Sequence, residues 1–242
     1  MTKTFDYLFG DWKLAKARRW INLDGSVGGI VAVDAAIDPS VSISGDAVVW
    51  PGASIGARVR IGAGTSIGSW TRIGEGTRIG EWTRIGAKTS IDDWTSIGSW
   101  THIGEGTRIG ERTRIGTATC IDDGASIGEE TSIGIVTRIG AKTSIGDGAS
   151  IGDGAIIEVG DWWLSGGPCG SRDAFWTAVF SKKHGLRWWI GCQRGISTEI
   201  LHARLIRDHG DNHHADDYKA VIAFVTNHPG LRRAQAASEV AA

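Results

Sequence analysis

The chain has 242 residues, of which 41% are apolar and 22% are charged, and its formal net charge is −1. This length accommodates one long domain and a small one. The balanced, interleaved charges argue against a nucleic-acid polymer as partner, and no run of apolar residues is long enough to predict a membrane span. The first residues lack the apolar segment of a signal peptide, so we expect a cytoplasmic protein.

Residues 1–36 carry no repeat and are assigned to an N-terminal cap segment. From Ile37 to Ile157 an aliphatic residue recurs at every sixth position without insertion or deletion. A helix cannot carry a period of six, whereas a short strand followed by a corner can, because side chains alternate across a strand. We expect each Ile and the Thr two residues before it to face inward, Arg to face outward, and Gly or Asp to form the corner.

The hexad Ile-Gly-x-x-Thr-x resembles the motif of the hexapeptide-repeat superfamily of left-handed parallel β-helices. The resemblance implies three hexads to a coil of about 18 residues, and hence about seven coils of a triangular prism over residues 37–161. Each Ile then stacks on the Ile one coil away, and each buried one contributes roughly 1.5 to 3 kcal/mol. The resemblance also implies assembly as a parallel homotrimer.

Four tryptophans occupy the same corner position of their hexads. They are Trp70, Trp82, Trp94 and Trp100. Because aromatic residues are enriched at protein interfaces, we assign these four to packing between subunits, with shielding of the prism corners and stacking on a ligand as the alternatives. The Arg of the outward positions and the acidic residues of the corners predict a salt-bridged, solvated surface.

Three activities known for such helices require different residues in the coils. Acyltransferases of the superfamily place a catalytic His on a loop that interrupts the coils or beside the neighbouring subunit, whereas these coils are uninterrupted and contain one histidine, His102. An acyltransferase with His102 as general base is therefore one alternative. Carbonic anhydrases need three His ligands on zinc, and ice-binding helices need outward rows of Thr, and the coils carry neither.

The composition changes after the repeats, and residues 162–234 predict a ββαα domain that closes the open end of the β-helix. Its apolar runs DAFWTAVF and LRWWIGC are joined by SKKHG in a predicted hairpin. Ser197 caps a first helix that ends at Gly210, and a second helix runs from about His213 to Asn227. Residues 235–242 are expected to form a frayed tail.

The segments GGPCGSRDAFWTAVF and GCQRGISTEILHARLIRDHGDNHHADDYKAVIAF resemble a C-terminal module attached to hexapeptide-like repeats in bacteriophage and prophage proteins. The residues that carry the resemblance are Gly170, Ser171, Arg172, Gly191, Cys192, His209, Gly210, Asp211, Asn212, Tyr218 and Ala220. Gln193 departs from it, because an aromatic residue is usual there. The resemblance implies a viral or prophage origin, and hence the cytoplasm of an infected or lysogenic host, but no reaction.

A polar cluster in this module is the predicted ligand site. It consists of Ser171, Arg172, His209, Asp211, Asn212, His213 and Tyr218. A hydroxyl, a guanidinium and the free N–H groups at a helix start suit a phosphate. The structural alternative pairs Arg172 with Asp211 and lets Asp211 or Asn212 cap the helix. A Ser171–His209–Asp211 hydrolase would lack a nucleophile elbow.

These features favour a non-enzymatic, phage-type trimeric scaffold whose C-terminal domains bind a small anionic, nucleotide-like signal in counter-defence. The alternatives are the acyltransferase and a structural or virion-associated trimer. We predict no catalytic residue, cofactor or metal site. Cys120, Cys169 and Cys192 are too scattered for a disulfide framework, and reduced thiols are favoured over a zinc site on Cys169 and Cys192.

Overall fold

The computed structural model describes residues 3–10, 13–172, 174–190 and 193–240, without the side chains of Arg172, Ala174 and Val240. Within these ranges the chain forms a parallel β-solenoid, followed by an antiparallel sheet and three helices. None of the helices in this part of the chain has the length and apolar character needed to cross a membrane. The predicted solenoid of about seven coils is confirmed, whereas its left-handed sense stays a prediction.

Three antiparallel strands open the chain. Strand β1 (Thr4–Phe9) pairs with β2 (Lys13–Ile21), and β2 pairs with β3 (Val27–Ala32). Strand β3 then pairs in parallel with the solenoid, with Val31 beside Val49. The aromatic side chains of Phe9 and Trp20 are buried in the solenoid core. The N-terminal strands therefore cover one end of the Ile column.

Twenty-one two-residue strands, β4 to β24, follow within the described ranges, one for each hexad. They form three parallel sheets, which we call faces A, B and C, and each strand pairs with the strand one coil further, as Ile85 does with Ile103. Face A contains β6 (Val48–Val49), β9 (Ser66–Ile67), β12 (Arg84–Ile85), β15 (His102–Ile103), β18 (Cys120–Ile121), β21 (Arg138–Ile139) and β24 (Ile156–Ile157). Face B contains β4 (Ala36–Ile37), β7 (Ser54–Ile55), β10 (Arg72–Ile73), β13 (Ser90–Ile91), β16 (Arg108–Ile109), β19 (Ser126–Ile127) and β22 (Ser144–Ile145). Face C contains β5 (Ser42–Ile43), β8 (Arg60–Ile61), β11 (Arg78–Ile79), β14 (Ser96–Ile97), β17 (Arg114–Ile115), β20 (Ser132–Ile133) and β23 (Ser150–Ile151).

The interior of the solenoid follows the predicted alternation. The aliphatic residues of the register are at most 4% exposed from Ile43 to Ile157, and wherever a Thr precedes one of them by two residues, that Thr is buried as well. Most of these hydroxyls donate inside the prism, as Thr71 Oγ1 does to the carbonyl oxygen of Gly86 at 3.0 Å and Thr89 Oγ1 to that of Gly104 at 3.0 Å, whereas Thr143 Oγ1 has no partner among the described residues. The aliphatic column itself has no group that could pair with a buried charge.

A glycine follows most Ile residues of the register, and at most of these positions the next coil leaves no room for a Cβ. A Cβ on Gly80 would lie 2.4 Å from the backbone nitrogen of Ser99 in the next coil. Adjacent coils approach this closely because their backbones hydrogen-bond along the prism, with Gly80 N donating to Ile97 O at 2.8 Å. Glycine at this position thus favours close stacking, although Asp92 and Asp122 occupy it in two hexads.

The C-terminal domain differs from the predicted ββαα arrangement. Its sheet has four antiparallel strands, β25 (Trp162–Cys169), β26 (Ala174–Ser181), β27 (Gly185–Ile190) and β28 (Gln193–Ile196), with a 3₁₀ turn at Gly170–Arg172. Three helices follow, α1 (Thr198–His209), α2 (His213–Thr226) and α3 (Pro229–Val240). The prediction of two strands and two helices was wrong because a Gly-Gly-Pro sequence masks β25, whose pairing shifts register between Gly166 and Cys169. The Ala-rich α3 occupies much of the segment that was expected to fray.

The predicted helix caps are confirmed. Ser197 Oγ accepts a hydrogen bond from Ile200 N at 3.4 Å at the start of α1, and Asn212 Oδ1 accepts one from Ala215 N at 3.1 Å at the start of α2. Gly210 ends α1 with a positive φ of 57°. These local signals place both helix starts, because a capping side chain satisfies N–H groups that the helix itself cannot.

The antiparallel sheet packs directly on the last coil. Gly152 N donates to Thr177 Oγ1 at 2.9 Å, and the same hydroxyl donates to Ser150 O at 3.3 Å. Val179 and Trp189 join the solenoid core on one side of the sheet. On the other side Trp176 and Trp188 are buried with the helices in a second core. One sheet is therefore shared by two cores, which holds the C-terminal domain against the last coil.

Candidate functional site

The outward row of face A is chemically distinct from the other two faces. Its central residues are Arg84, His102, Cys120 and Arg138, with His102 in register between Arg84 and Cys120. The outward positions of faces B and C are Ser, Arg or Ala. Since adjacent strands lie about 4.8 Å apart, His102 is roughly 10 Å from Arg138 along the row. This row therefore combines a titratable imidazole with two guanidinium groups on one exposed strip.

Cys120 is held as a neutral thiol within that row. Its Sγ donates to Asp122 Oδ1 at 3.2 Å, and Asp122 in turn accepts a hydrogen bond from Arg138 Nη2 at 2.7 Å. Burial, with the adjacent Asp122 carboxylate, raises the pKa of Cys120 to about 11. A thiol with that pKa is a poor nucleophile at neutral pH. His102 is therefore the residue of this row that is suited to accept a proton.

Two stacked indoles border the row. Trp82 and Trp100, each two residues before an outward residue of face A, stack with ring centroids 5.6 Å apart and planes 16° apart. Both are more than half exposed, at 51% and 64%. They present a flat apolar surface beside Arg84 and His102, and such a surface is suited to a planar ring or to another protein chain.

The corner tryptophans also cover glycines of the preceding coil. A Cβ on Gly64 would lie 2.4 Å from the Trp82 ring, and Gly76 stands in the same relation to Trp94. The Arg58 guanidinium lies over the Trp94 ring at 5.2 Å. All four tryptophans have positive φ angles between 56° and 61°. Part of each ring is thus used within the prism, while the assignment of the four residues to a subunit interface stays a prediction.

A second concave region lies where face A meets the antiparallel sheet. This pocket, which we call the junction pocket, has a volume of about 1020 Å³. Its solenoid side is formed by Arg138, Gly154, Ile156, Glu158 and Asp161. Its other side is formed by Val179, Ser181, Lys182, Lys183, His184, Arg187, Trp189, Arg194 and Gly195. Because Arg138 belongs to both regions, the outward row of face A leads into the pocket.

Acidic residues hold two arginines of the junction pocket in place. Arg138 is paired with Asp122 at 2.7 Å and with Glu158 at 3.5 Å, and Arg194 is paired with Asp153 at 2.9 Å. These contacts orient the guanidinium groups of the pocket before any ligand arrives, which reduces the side-chain entropy that binding would cost.

Asp161 is a half-buried carboxylate of the pocket. Its Oδ2 accepts a hydrogen bond from Glu158 N at 3.0 Å. Burial raises the pKa of Asp161, the hydrogen bond from Glu158 N lowers it, the Glu158 carboxylate raises it and His184 lowers it, with a net rise. Asp161 and His184 line the same pocket, so the basic hairpin between β26 and β27 lies close to the end of the solenoid. The hairpin is itself braced by Ser181, whose Oγ accepts from His184 N at 3.1 Å.

The residues predicted as a ligand cluster lie around the start of α2, and none of those with described side chains lines the junction pocket. Tyr218 is buried with the His209 ring stacked on it, at a centroid distance of 5.7 Å. The closeness of this ring requires a glycine at 170, where a Cβ would lie 2.1 Å from it. Tyr218 therefore packs in the domain core. Its ring fits there because Gly170 has no side chain and adopts a left-handed backbone conformation.

Four other members of that cluster, Ser171, Asp211, Asn212 and His213, are exposed. Asn212 caps α2, which agrees with the structural alternative, and the carboxylate of Asp211 pairs with Lys219 at 3.4 Å. His213 lies against His214 with a ring distance of 3.9 Å. Ser171 is exposed in the 3₁₀ turn, and the side chain of Arg172 lies outside the described residues. The role of this cluster in ligand binding stays a prediction.

Sulfur and imidazole groups do not converge on a metal position. Within the described ranges, no three His, Cys, Asp or Glu side chains are arranged to hold a metal ion. Burial raises the pKa of the Cys169 thiol to about 11. Cys192, its proposed partner in the zinc alternative, lies outside the described residues.

Sequence reasoning missed the junction pocket. It interpreted SKKHG as a hairpin alone, although Lys182, Lys183, His184 and Arg187 concentrate positive charge within a few residues. This density of positive charge was the signal in the sequence that could have indicated an anion-binding pocket. The acidic and apolar residues that complete the pocket lie far away in the chain, so the composition of the hairpin could not reveal them.

Comparison with known proteins identifies the repeats. Residues 52–87 match the family model described as bacterial transferase hexapeptide (six repeats). The matched stretch lies within the coils. This match and the solenoid support the hexapeptide-repeat β-helix superfamily, as the sequence predicted, but they give no support for a phage-type C-terminal module. No curated protein is similar enough in sequence to match the chain.

Three solved structures illustrate the likeness of the solenoid. A GDP-perosamine N-acetyl transferase from Caulobacter crescentus is 20% identical, with a TM-score of 0.38 and coverage of 50% of each chain. The acetyltransferase domain of PglB from Neisseria gonorrhoeae is 24% identical, with a TM-score of 0.31 and coverage of 50% of this chain and 52% of the other. A UDP-N-acetylglucosamine acyltransferase from Francisella novicida is 18% identical, with a TM-score of 0.42 and coverage of 52% and 62%. The chain thus spans between half and two thirds of these proteins.

These comparisons correct the functional interpretation. The matched family model is one of bacterial transferases, which are enzymes. The interpretation as a non-enzymatic phage scaffold that binds an anionic signal was therefore wrong, and the acyltransferase alternative agrees better. The error came from giving weight to the C-terminal resemblance and from treating uninterrupted coils as evidence against an enzyme. At these identities and TM-scores the likeness assigns no substrate or catalytic residue to this chain.

Proposed function

We propose that the protein is an acyltransferase whose reaction takes place on the outward row of face A. The observation that carries the proposal is the position of His102, exposed between Arg84 and Cys120 on the single solenoid face whose outward row includes an imidazole. The match of residues 52–87 to a bacterial transferase model supports the reaction class. The proposed donor is an acyl thioester of coenzyme A, and the proposed acceptor is an amine or hydroxyl of a sugar-containing molecule.

In the proposed reaction the acceptor nitrogen or oxygen attacks the carbonyl carbon of the thioester. His102 takes the proton that the acceptor loses, which is the role of a general base. The carbon–sulfur bond breaks, and the proton taken by His102 passes to the leaving sulfur, so that coenzyme A leaves as its thiol. The adjacent Arg84 guanidinium would stabilise the negative charge that develops on the carbonyl oxygen. Cys120 takes no covalent part, because its thiol donates to Asp122.

We further propose a parallel homotrimer of left-handed prisms, with Trp70, Trp82, Trp94 and Trp100 at or near the subunit interfaces. The exposure of these indoles supports this assembly, since large exposed aromatic groups are enriched where chains meet. In such a trimer the Trp82–Trp100 pair would border a cleft between prisms that contains His102. The cytoplasm remains the expected location.

The test is the release of coenzyme A thiol from acetyl coenzyme A in the presence of a panel of amino sugars and sugar nucleotides. We expect His102→Gln to lower kcat by roughly 10²- to 10⁴-fold with little change in the KM for the donor. His202→Gln is the matched control, because His202 is an exposed histidine on α1. Full activity of His102→Gln would remove His102 as the base, and a wild-type protein that acylates no acceptor would refute the proposed activity.

A further inference from the structure

The junction pocket is a built cavity with a strongly uneven charge distribution. Six of the side chains that line it are cationic or become so on protonation: Arg138, Lys182, Lys183, His184, Arg187 and Arg194. Two lining side chains are carboxylates, Glu158 and Asp161. The cations come from the solenoid, from the hairpin and from β27 and β28, so they surround the cavity from more than one direction. Such convergence raises the local concentration of anions.

Arg138 can bind an additional anion while it keeps its structural contacts. A guanidinium carries five N–H donors. The contacts of Arg138 with Asp122 and Glu158 use Nη2 and Nε. The fork geometry of arginine matches the oxygens of a phosphate or carboxylate. These ion pairs therefore orient the Arg138 guanidinium without exhausting its donors.

The pocket also has an apolar surface. Ile156 is half exposed on the solenoid side, and the buried Trp189 forms part of the opposite wall with Val179. Gly195 has a positive φ of 59°, and a Cβ there would lie 3.4 Å from the Trp189 ring. A glycine at this position thus places no side chain between the pocket and that part of its wall. Cationic groups over an apolar wall are suited to a molecule that is anionic at one end and apolar at the other.

We propose that the junction pocket binds a small molecule carrying two or more phosphate or carboxylate groups together with an apolar part. The volume of about 1020 Å³ is at the upper end of the ~300–1,000 Å³ range of small-molecule sites. The inference does not rest on the proposed acyl transfer, because it concerns binding at a place roughly 10 Å and more from His102 along face A. It shares no residue with the cluster at the start of α2.

The test is calorimetric titration of the full chain with pyrophosphate, citrate and ADP, with adenosine as the uncharged counterpart of ADP. Lys183→Glu reverses a charge at the hairpin tip, where it lies in an exposed turn. Lys13→Glu makes the same change at the opposite end of the solenoid, in β2. We expect Lys183→Glu to weaken binding of the anionic probes by about tenfold or more and Lys13→Glu to leave it unchanged.

Two further measurements keep the outcome interpretable. Circular dichroism of both variants reports whether they fold, and an Arg187→Gln variant, which removes a different lining cation, should weaken binding in the same direction. Raising the ionic strength should also weaken binding, because screening reduces the attraction between exposed charges. Pyrophosphate and citrate distinguish phosphate from carboxylate ligands, and binding of either with these dependences supports the proposal. Binding of adenosine equal to that of ADP, equal affinities of Lys183→Glu and wild type, or no binding of any anionic probe would overturn it.

Discussion

The indole of Trp82 lies parallel to that of Trp100, with ring centroids 5.6 Å apart, although 18 residues separate them in the chain. The distance between these rings is set by the coil repeat, since adjacent strands lie about 4.8 Å apart. Any side chain at a given corner therefore meets the side chain of the same corner in the next coil. This relationship makes the surface of the solenoid as predictable as its core, and it underlies the first two predictions.

Replacing Ile103 with Asp should unfold the solenoid. The side chain at this position is fully buried in the apolar column, where a carboxylate would find neither water nor a partner. Ser96→Asp is the control, because Ser96 is exposed on face C, and we expect its free energy of unfolding to change by no more than about 0.5 kcal/mol. Thermal unfolding followed by circular dichroism measures both. An Ile103→Asp variant with the wild-type melting temperature would contradict the inward assignment.

Replacing both Trp82 and Trp100 with Ser should shift the molecular mass from trimer toward monomer while each prism stays folded. The pair presents a large exposed apolar surface. Removing such aromatic side chains from an interface typically weakens the free energy of association by about 2 kcal/mol or more. Phe224→Ser serves as control, since Phe224 is an exposed aromatic residue on α2. Light scattering during gel filtration gives the mass. A double variant that remains entirely trimeric would place the pair on an open surface.

Gly170→Ala should destabilise the C-terminal domain. Gly170 has a φ of 68°, and an added Cβ would lie 2.1 Å from the Tyr218 ring, which is buried and cannot move away freely. The unfavourable φ and the steric overlap together predict that the free energy of unfolding falls by about 2 kcal/mol or more. Gly167→Ala is the matched control, because no atom lies within 4 Å of a Cβ at that position. Urea unfolding compares the two variants, and equal stabilities would show that Tyr218 does not pack tightly on the turn.

Alkylation of Cys120 in the folded protein should become fast only at strongly alkaline pH. Its pKa is raised from 9.0 to about 11, so the thiol stays protonated over a range in which an unfolded chain is already a thiolate. It follows that stability is lost as the pH rises from about 9 toward 11, because the unfolded state releases the proton first.

The measurement is the rate of iodoacetamide labelling of the Cys120 peptide against pH, read by mass spectrometry. Asp122→Asn should move the midpoint of this profile to lower pH, because the Asp122 carboxylate contributes to the raised pKa. Labelling of the denatured protein supplies the reference midpoint. A folded protein labelled with the same pH profile as the denatured one would show that Cys120 is exposed and not bound to Asp122.

The period of six in the sequence was sufficient to determine the solenoid. Each hexad carries the same pattern, with residues such as Ile103 and Thr101 inward and His102 outward. A hexad that departs from the pattern therefore does not change the predicted register, because the neighbouring hexads agree on it. The helix caps at Ser197 and Asn212 were equally predictable, since a cap depends on residues only three apart. The four-stranded sheet was not, because the strand pattern of β25 is interrupted by Gly and Pro.

The tertiary structure alone decided where the chemistry converges. Arg138 and Lys183 lie 45 residues apart in the chain and share a pocket because Thr177 and Val179 attach the antiparallel sheet to the last coil. The sequence determined the coils, their inward and outward faces and the position of His102 on one face, since these follow from local periodicity. The junction pocket depends on the docking of the antiparallel sheet on the last coil, and the free energy of that contact is not encoded in any local pattern.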